Sequence, residues 1–573
     1  MNSSDSRSTP ASSSTQDCLA NNSNTIYDAI VVGAGATGGV AAKTLAEQGL
    51  TVLVLDAGPQ LTARAALGNP VSNMAKRLQN LVVRRTQSFQ ALHPGYWKKN
   101  PDLFIDEQQN PYTTPEGKPF YWLRGRQVGG KSLTWGGITL RLSDYELQAA
   151  RFDGYGENWP LTYSELAPYY DRLERFFQVR GGDEGLDVLP PGQYQPPAAL
   201  TPAEEHLKTV LADNWPERSL IPSRGFSLDQ PTAEDPWPRS SSLGSSLRAA
   251  LQTGRVTIQP DAVVSHVCFD PNTRLARGVG FVHRVAKTSH EVRARAVVLC
   301  ASTIESVRIL LRSTEHDQPG GLVNASGLLG RHLMDHISAI RFFVLPEFKP
   351  LPRAAELSGS HSFFIPRFCN LGQQTESFLR GYGLWGGVQR VDVPELFQRH
   401  PGSIGFLVGH GEVLSRPENR IQLDSRVVDA WGISVPHIDS AWSDNEQLML
   451  SHMHQQIEAL VERSGGYCLA FTDLFRIPLI ADFLSKFEQQ MSFSSPPGFY
   501  VHEVGGARMG TSAQNSVVNS TSQCWETPNL LVTDGACWPS AGWQNPTLTE
   551  MAITMRACEL LVKQVKQGAI ASD

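Results

Sequence analysis

The chain has 573 residues, a formal net charge of −6 at pH 7, 41% hydrophobic residues and 18% charged residues. That length exceeds what one hydrophobic core usually serves, so two domains or one large elaborated domain are expected, and the composition excludes a disordered or fibrous protein. The acidic balance argues against nucleic acid or an anionic membrane as the main partner, while it leaves room for a local basic patch.

The N-terminus "MNSSDSRSTPASSSTQDCLANNSNT" lacks both a basic start and an apolar stretch. This predicts a disordered tail over residues 1–25, with a cleaved organelle-targeting peptide as the second interpretation because of its serine content. No run of about 18 apolar residues occurs, so no membrane span is expected. Eight cysteines lack metal-like spacing, which predicts free thiols, no metal site and a reducing, cytoplasmic location.

The first structured element after the tail has the pattern of a βαβ unit. An apolar strand leads into a glycine turn and an alanine-rich helix, and a second apolar strand ends at Asp56. Gly33 permits the tight turn, Gly35 lets the backbone approach a pyrophosphate, and Gly38 lets helix and strand pack closely. Asp56 lies where a carboxylate can bind a ribose hydroxyl. The unit predicts dinucleotide binding, and the alternative is a glycine-rich turn without a ligand.

The middle of the chain changes character several times. Residues 60–120 are irregular and rich in aromatic, proline and basic residues, which suggests a long excursion or lid. The stretch "RGRQVGGKSLTWGG" then places glycines where the backbone can approach a flat or charged ligand. Apolar strands between residues 255 and 300 open into a helix, which indicates a parallel sheet. Short aromatic-rich strands over 340–495 favour a mostly antiparallel sheet that forms a substrate domain.

The last 75 residues repeat the theme of strand, turn, loop and helix. The stretch "VHEVGGARMG" precedes them and places a histidine, His502, which on its own is more often a structural residue than a catalytic one. Further on, Pro546 sits where a proline suits the start of a helix, and Thr547 and Thr549 can cap it. The positive end of that helix would point at whatever lies above "NPTLT".

Taken together, the motifs resemble the glucose-methanol-choline (GMC) oxidoreductases, which are FAD-dependent alcohol oxidases and dehydrogenases. The similarity runs from residue 26 onward and is closest to the pyranose oxidases and their bacterial sugar-oxidising relatives, through "VGGKSLTW", "HEVGGARMG" and "NPTLTEMAITMRACE". It implies an α/β fold with a Rossmann-like FAD-binding domain and a discontinuous substrate domain on a mostly antiparallel sheet. We assign residues 26–160, 255–345 and 496–573 to the FAD-binding domain, and residues 161–254 and 346–495 to the substrate domain and connections.

The resemblance also assigns cofactor-binding positions. They are Gly33, Gly35, Gly38, Asp56, Gly130, Ser132, Thr134, Val264, Ala301, Asp534, Pro546 and Thr547. The first four would hold the ADP half, Val264 and Ala301 would line the adenine side, and the loop from Gly130 to Thr134 would pass the isoalloxazine ring. Asp534 would contact the ribityl chain.

The resemblance also assigns a role to the start of the helix at "NPTLT". Pro546 and Thr547 would place backbone N–H groups at the flavin pyrimidine, where reduction leaves negative charge. The family departs from this sequence at two places: it more often has Glu where Asp56 stands, and pyranose oxidases carry a flavin-linked histidine where Thr134 stands. Because threonine cannot make that bond, FAD is expected to bind without a covalent link.

The same similarity assigns the catalytic pair. His502 matches the histidine that faces the flavin, and Asn545 matches its partner position. An imidazole with a pKa near 6.5 is suited to accept the hydroxyl proton while the flavin takes the hydride. The Asn545 amide would hold the substrate oxygen. Glu503 and Arg508 are interpreted as structural.

The leading hypothesis is therefore FAD-dependent oxidation of an alcohol group on a small sugar, glycoside or polyol. Three alternatives stay open: an NAD-dependent dehydrogenase, slightly favoured by Asp56, a flavin-dependent lyase without net redox chemistry, and a non-catalytic flavin-bound interaction protein. The sequence does not indicate whether oxygen or a quinone reoxidises the flavin. It predicts no nucleic-acid partner and leaves the oligomeric state open.

Overall fold

The computed structural model describes residues 25–228, 232–270, 272–317, 323–390, 400–470, 473 and 495–568. Residues 1–24 of the predicted tail lie outside this part. The helices α1 to α12, in chain order, are Ala36–Glu47, Ala63–Leu67, Pro70–Leu78, Pro94–Lys98, Asp144–Leu147, Ala149–Asp153, Tyr163–Phe177, Pro202–Asn214, Ser246–Gln252, Thr303–Asp317, Asp444–Arg463 and Thr547–Lys566. The strands β1 to β15 are Ile26–Val32, Val52–Leu55, Ile221–Pro222, Val256–Gln259, Ala262–Phe269, Ala276–His283, Ser289–Leu299, Ile340–Leu345, Phe363–Ile365, Tyr382–Val388, Ser403–Gly411, Arg420–Val428, Ser434–Asp439, Tyr467–Leu469 and Leu530–Val532.

A seven-stranded sheet forms the first layer. Its parallel part runs β4-β2-β1-β7, and β15 adds in parallel to the far side of β7. The other half of β7 continues antiparallel into β6 and β5. Helix α1 packs against α9 and α12. The predicted βαβ unit, and with it the Rossmann-like fold, is confirmed.

The parallel strands bring distant parts of the chain to one edge of this sheet. Gly33 follows β1, Asp56 follows β2, Ala301 comes shortly after β7, and Asp534 comes shortly after β15. The carboxyl ends of parallel strands are where α/β sheets bind ligands. Four predicted cofactor positions therefore share one edge, although the chain separates them by hundreds of residues.

A six-stranded antiparallel sheet, in the order β14-β8-β11-β10-β9-β3, forms the second layer. Helix α11 packs against β8, β11 and β14. The segment before β8 connects this sheet to the stretch that follows His502. Ile337 pairs with Gly411 at the end of β11, and Met334 pairs with Val504. The mostly antiparallel second sheet is as predicted.

Two features differ from the sequence expectations. The 20-residue α11 lies inside the region predicted as short strands. Its capping box, formed by Ser443 and Glu446, is the local sequence signal for the start of this helix. Strand β8 pairs with β11 in the antiparallel sheet predicted over 340–495, although its residues fall within the range 255–345 assigned to the FAD-binding domain. Sheet membership follows the strand partner, which sequence order does not reveal. The division into two domains stays a prediction.

Within the described ranges, no helix combines the length and apolar character needed to cross a membrane. No group of His, Cys, Asp or Glu side chains in that part of the chain is arranged to hold a metal ion. The cysteines that the structure describes are free thiols.

Candidate active site

The first glycine loop is shaped by two close contacts and one open space. A Cβ on Gly33, whose φ is +103°, would lie 2.3 Å from the Cys300 carbonyl oxygen, and one on Gly38 would lie 1.9 Å from the Gly33 carbonyl oxygen. A Cβ on Gly35 would meet no protein atom within 4 Å. Packing therefore requires glycine at 33 and 38, whereas the space beside Gly35 is open.

The second glycine loop lies directly against the first. A Cβ on Gly130, whose φ is +53°, would come within 3.1 Å of the Gly35 Cα. The Ser132 hydroxyl accepts a hydrogen bond from the Ser242 N–H at 2.9 Å, and the Ser242 hydroxyl donates to the Ala34 carbonyl at 2.8 Å. Ser132 thus ties the two loops together, a role that sequence analysis did not anticipate for it.

Asp56 also braces the first loop. Its carboxylate accepts hydrogen bonds from the Ala34 N–H at 3.0 Å and from the Gly58 N–H at 2.9 Å. The side chain is buried, and that burial raises its pKa. The ribose contact predicted for Asp56 stays a prediction, while its support of the glycine loop is visible.

The predicted adenine side is connected to the second loop through charges. The Arg308 guanidinium donates to the Val264 carbonyl at 2.9 Å and to Glu305 at 2.7 Å. Glu305 also binds Arg126, 2.9 Å away, just before the second glycine loop. Ala301 lies near the first loop, since its Cα would be 3.1 Å from a Cβ on Gly33. Arg126 and Glu305 are members of this region that sequence analysis missed.

Thr134 lies partly exposed at the end of the second glycine loop. Its hydroxyl donates to the Lys131 carbonyl at 3.1 Å, and it carries no ring nitrogen that could be alkylated by a flavin. The non-covalent attachment of FAD stays a prediction that this residue supports.

The start of α12 differs in part from the expectation. Pro546 is the N-cap and no side chain caps the helix, so the capping predicted for Thr547 and Thr549 is wrong. The Thr549 hydroxyl instead shares a hydrogen bond of 2.8 Å with Tyr170. Pro546 itself has no N–H to donate. The first helical turn after it leaves the N–H groups from Thr547 onward without helical partners, as the role proposed for this helix start requires.

The structure brings the two predicted catalytic residues together. His502 Nε2 lies 3.3 Å from the Asn545 amide nitrogen. On its other side, His502 Nδ1 lies 2.9 Å from His336 Nδ1, and His336 Nε2 lies 2.6 Å from the Gly542 carbonyl oxygen. The result is a chain of polar groups from a backbone carbonyl, through two imidazoles, to an amide.

The backbone around His502 is held by a buried carboxylate. Asp335 accepts hydrogen bonds from the N–H of His502 at 3.0 Å and of Tyr500 at 3.3 Å. Its burial, reinforced by nearby Glu503, raises its pKa to about 7. The Tyr500 hydroxyl in turn hydrogen-bonds His410 Nε2.

Both neighbouring imidazoles favour the neutral state. Burial lowers the pKa of His336 to about 4. Burial also lowers the pKa of His502 well below its usual range, and the nearby His336, His410 and Lys131 lower it further. His502 is therefore a free base at neutral pH.

A cluster of carboxylates surrounds the turn after β15. A Cβ on Gly535 would lie 2.9 Å from both the Glu503 carbonyl oxygen and Glu550 Oε1. The Asp534 carboxylate accepts a hydrogen bond of 2.5 Å from Ser306. Burial raises the pKa of Asp534 to about 6, and burial together with Asp534 raises the pKa of Glu550 to about 8. Lys131, 3.1 Å from Glu503, is the cation that opposes these charges.

This cluster predicts a pH dependence of stability. Because the folded-state pKa of Glu550 is about 8, folding binds a proton that the unfolded chain releases near pH 4 to 5. The stability that this bound proton adds to the folded state is complete below the unfolded-state pKa and is lost as the pH rises through 8. We expect Glu550→Gln to flatten the fall in unfolding temperature between pH 5 and 8, measured by thermal unfolding of both proteins.

The histidines with lowered pKa change stability in the opposite direction, but they are common to both proteins and cancel in this comparison. If the unfolding temperature falls with pH equally steeply in wild type and in Glu550→Gln, the raised pKa assigned to Glu550 is contradicted.

The residues present fit a dinucleotide with a flavin ring. The open space beside Gly35 is bordered by two glycine loops, and buried Asn545 Oδ1 has no hydrogen-bond partner among the described residues. Gly35, Gly130 and the start of α12 would hold the cofactor, while Asp56 and Ser132 act on the loops that surround it.

Comparison with known proteins agrees with this geometry. The N-terminal model of the GMC oxidoreductases matches residues 27–338, and their C-terminal model matches residues 415–554. The chain is 24% identical to 2-methyl-1,2-propanediol dehydrogenase of Mycolicibacterium austroafricanum, over 94% of this chain and 95% of that protein. It is 27% identical to paromamine 6'-oxidase of Streptomyces fradiae, over 93% of this chain and 91% of that protein.

The fold is shared with a solved structure as well. Pyridoxine 4-oxidase from Mesorbium loti superposes with a TM-score of 0.59 at 18% identity, covering 93% of this chain and 99% of that one. The family models together match well over half of the sequence. The chain belongs to the GMC oxidoreductases, enzymes that bind FAD and act on CH–OH groups.

Proposed function

We propose that this enzyme oxidises an alcohol group of a sugar, glycoside or polyol to a carbonyl, with His502 as the base. The observation that carries the proposal is the neutral His502 imidazole, whose Nε2 lies 3.3 Å from the Asn545 amide. FAD, when bound, supplies the acceptor for the hydride of the carbinol carbon. The protein must then accept the hydroxyl proton and orient the substrate.

The hydrogen bonds support Nε2 of His502 as the nitrogen that accepts the proton in this proposal. The Gly542 carbonyl can only accept, so His336 Nε2, at 2.6 Å, carries a proton. Since His336 has a pKa of about 4, it is neutral and its Nδ1 is an acceptor. His502 Nδ1, at 2.9 Å, therefore donates to it. Neutral His502 then has its lone pair on Nε2, the nitrogen that faces Asn545.

Asn545 orients the substrate oxygen in this proposal. One N–H of its amide donates to His502 Nε2 over 3.3 Å, a long hydrogen bond that a substrate hydroxyl can replace. The second N–H can donate to the substrate oxygen while His502 accepts the hydroxyl proton. The two side chains thus contact one oxygen from two sides.

His336 acts through His502, and its replacement tests the assigned tautomer. His336→Leu removes the acceptor for His502 Nδ1–H, which favours the form with the proton on Nε2. We expect flavin reduction to slow roughly 10- to 100-fold, the worth of a buried donor left unpaired. His336→Asn keeps an oxygen acceptor near the Nδ1 position and should recover most of the rate, measured by anaerobic stopped-flow.

The tautomer itself is the second measurement. With ¹⁵N-labelled histidine, the His502 signals, assigned by difference against His502→Ala, should show a protonated Nδ1 in wild type and a protonated Nε2 in His336→Leu. An unchanged tautomer together with an unchanged rate would leave His336 a purely structural role.

An anaerobic substrate screen tests the function. The names of two relatives specify a propanediol and paromamine, so the set includes 2-methyl-1,2-propanediol, aminoglycosides, common sugars and polyols. Loss of flavin absorbance without oxygen supports alcohol oxidation. Turnover without loss of absorbance would favour a lyase, dependence on NAD would favour a nicotinamide enzyme, and no response to any alcohol would favour a non-catalytic role.

A cytoplasmic location stays part of the proposal, since the described cysteines are free thiols.

A further inference from the structure

The segment from residue 57 to residue 101 has a charge composition opposite to that of the whole chain. It contains no Asp or Glu, although the chain has a formal charge of −6. Its seven basic residues are Arg64, Lys76, Arg77, Arg84, Arg85, Lys98 and Lys99. The acidic balance of the chain therefore hides one strongly basic segment.

The same segment exposes a stripe of aliphatic side chains. Helix α3 continues as a π-helical turn over Gln79–Arg84. The exposed apolar side chains are Val71, Met74, Leu78, Val82 and Val83, with exposed fractions of 82%, 46%, 56%, 69% and 74%. The first four recur every three or four residues and therefore line one face of the helix. A contiguous exposed apolar patch of this kind marks an interaction surface.

Basic residues follow the stripe directly, since Arg84 and Arg85 come right after Val82 and Val83. Arg64, Arg84 and Arg85 are exposed, and none of them forms an ion pair within the described part of the chain, whereas Lys76 pairs with Asp102. The helix beneath is anchored, because buried Arg77 donates to the Lys99 carbonyl at 2.6 Å. Exposed aliphatic side chains beside unpaired cations complement a partner that has an anionic surface and an apolar interior.

We propose that the helical segment 70–84 docks on an anionic lipid surface, lying in the plane of the headgroups. Its aliphatic face would enter the acyl boundary while Arg84 and Arg85 contact lipid phosphates. The rest of the chain is acidic, so electrostatic repulsion would orient only this face toward the membrane.

The observations favour lipid over a second copy or a protein partner. Two copies meeting through this face would bring two basic segments, neither of which contains Asp or Glu, into one interface, which is unfavourable. Protein interfaces concentrate aromatic side chains in their centres, whereas this stripe consists of Val, Met and Leu on a convex helix. An aliphatic stripe with basic flanks is the pattern of an interfacial helix.

Vesicle co-sedimentation of the full-length, FAD-loaded protein tests the proposal. Vesicles of pure phosphatidylcholine are compared with vesicles rich in phosphatidylglycerol, at low and high salt. We expect binding to the anionic vesicles only, weakened by salt. Replacing Arg84 and Arg85 by glutamine should lower the partition coefficient roughly 25-fold, at about fivefold per cation.

A matched pair of variants separates this surface from general hydrophobicity. Leu78→Glu with Val82→Glu changes the stripe, whereas Val285→Glu with Val428→Glu changes aliphatic side chains that are similarly exposed elsewhere, at 66% and 53%. The first pair should abolish vesicle binding and the second should leave it unchanged. Absence of binding to anionic vesicles, or binding that survives the first pair, overturns the proposal. So does a dimer in lipid-free solution that the first pair dissociates, because it would assign the stripe to a second copy.

Discussion

His502→Ala is expected to leave FAD bound and to slow anaerobic flavin reduction by roughly 10²–10⁴-fold, the usual contribution of a general base. The structure provides the reason, since burial and neighbouring cationic or imidazole groups keep His502 neutral. Its Nε2 faces Asn545, where a substrate hydroxyl can bind. The measurement is stopped-flow reduction with a substrate found in the anaerobic screen, and flavin content serves as the control for folding.

Asn545 supplies the second half of this test. Asn545→Ala should cost less than His502→Ala, because it removes one hydrogen bond and some positioning but leaves the proton acceptor. Since the proposal has both side chains contact the same substrate oxygen, the losses should not add in the double variant. Reduction at nearly the wild-type rate in His502→Ala, with FAD retained, would show that another group takes the proton.

Local patterns were sufficient to predict the parts of the fold that depend on neighbouring residues. The βαβ unit is readable because glycines at 33, 35 and 38 and the two apolar strands fall within one short segment. The start of α7 depends on an equally local signal, since Thr162 and Glu165 form its capping box three residues apart. In both cases the residues that cause the structure lie close together in the sequence.

The supporting residues of the site could not be predicted in this way. His336 and Asp335 act on His502 across more than 160 residues, and their stretch "HLMDHI" has no spacing that marks a catalytic role. They reach the site because Met334 pairs with Val504 and Ile337 pairs with Gly411. Those pairings depend on how two sheets meet, which no local pattern encodes.

Two residues predicted to contact the cofactor also have protein partners. The contacts of Asp56 with ribose and of Ser132 with the flavin stay predictions, and both side chains make hydrogen bonds that hold the glycine loops. A polar residue beside a ligand site has two uses that look identical in sequence, since it can bind the ligand or hold the backbone that does. Only the distances distinguish them.

The glycine at position 35 offers the cleanest separation of ligand binding from folding. A Cβ there would meet no protein atom within 4 Å, whereas Cβ atoms at Gly33 and Gly38 would lie 2.3 Å and 1.9 Å from backbone oxygens. Gly35 is not in the left-handed region, since its φ is −72°, so alanine adds no backbone strain. Substitution should therefore be felt by the cofactor alone.

Gly35→Ala is accordingly expected to give a folded but colourless protein, because the added methyl group occupies the space where the backbone must approach the pyrophosphate. Circular dichroism and thermal unfolding should match those of wild-type protein stripped of FAD, while titration with FAD should show no saturable binding. Gly33→Ala and Gly38→Ala are the contrasting controls, because their clashes are with the protein and should appear as loss of folded yield. Normal flavin content in Gly35→Ala would place the pyrophosphate elsewhere and reduce this glycine to a turn residue.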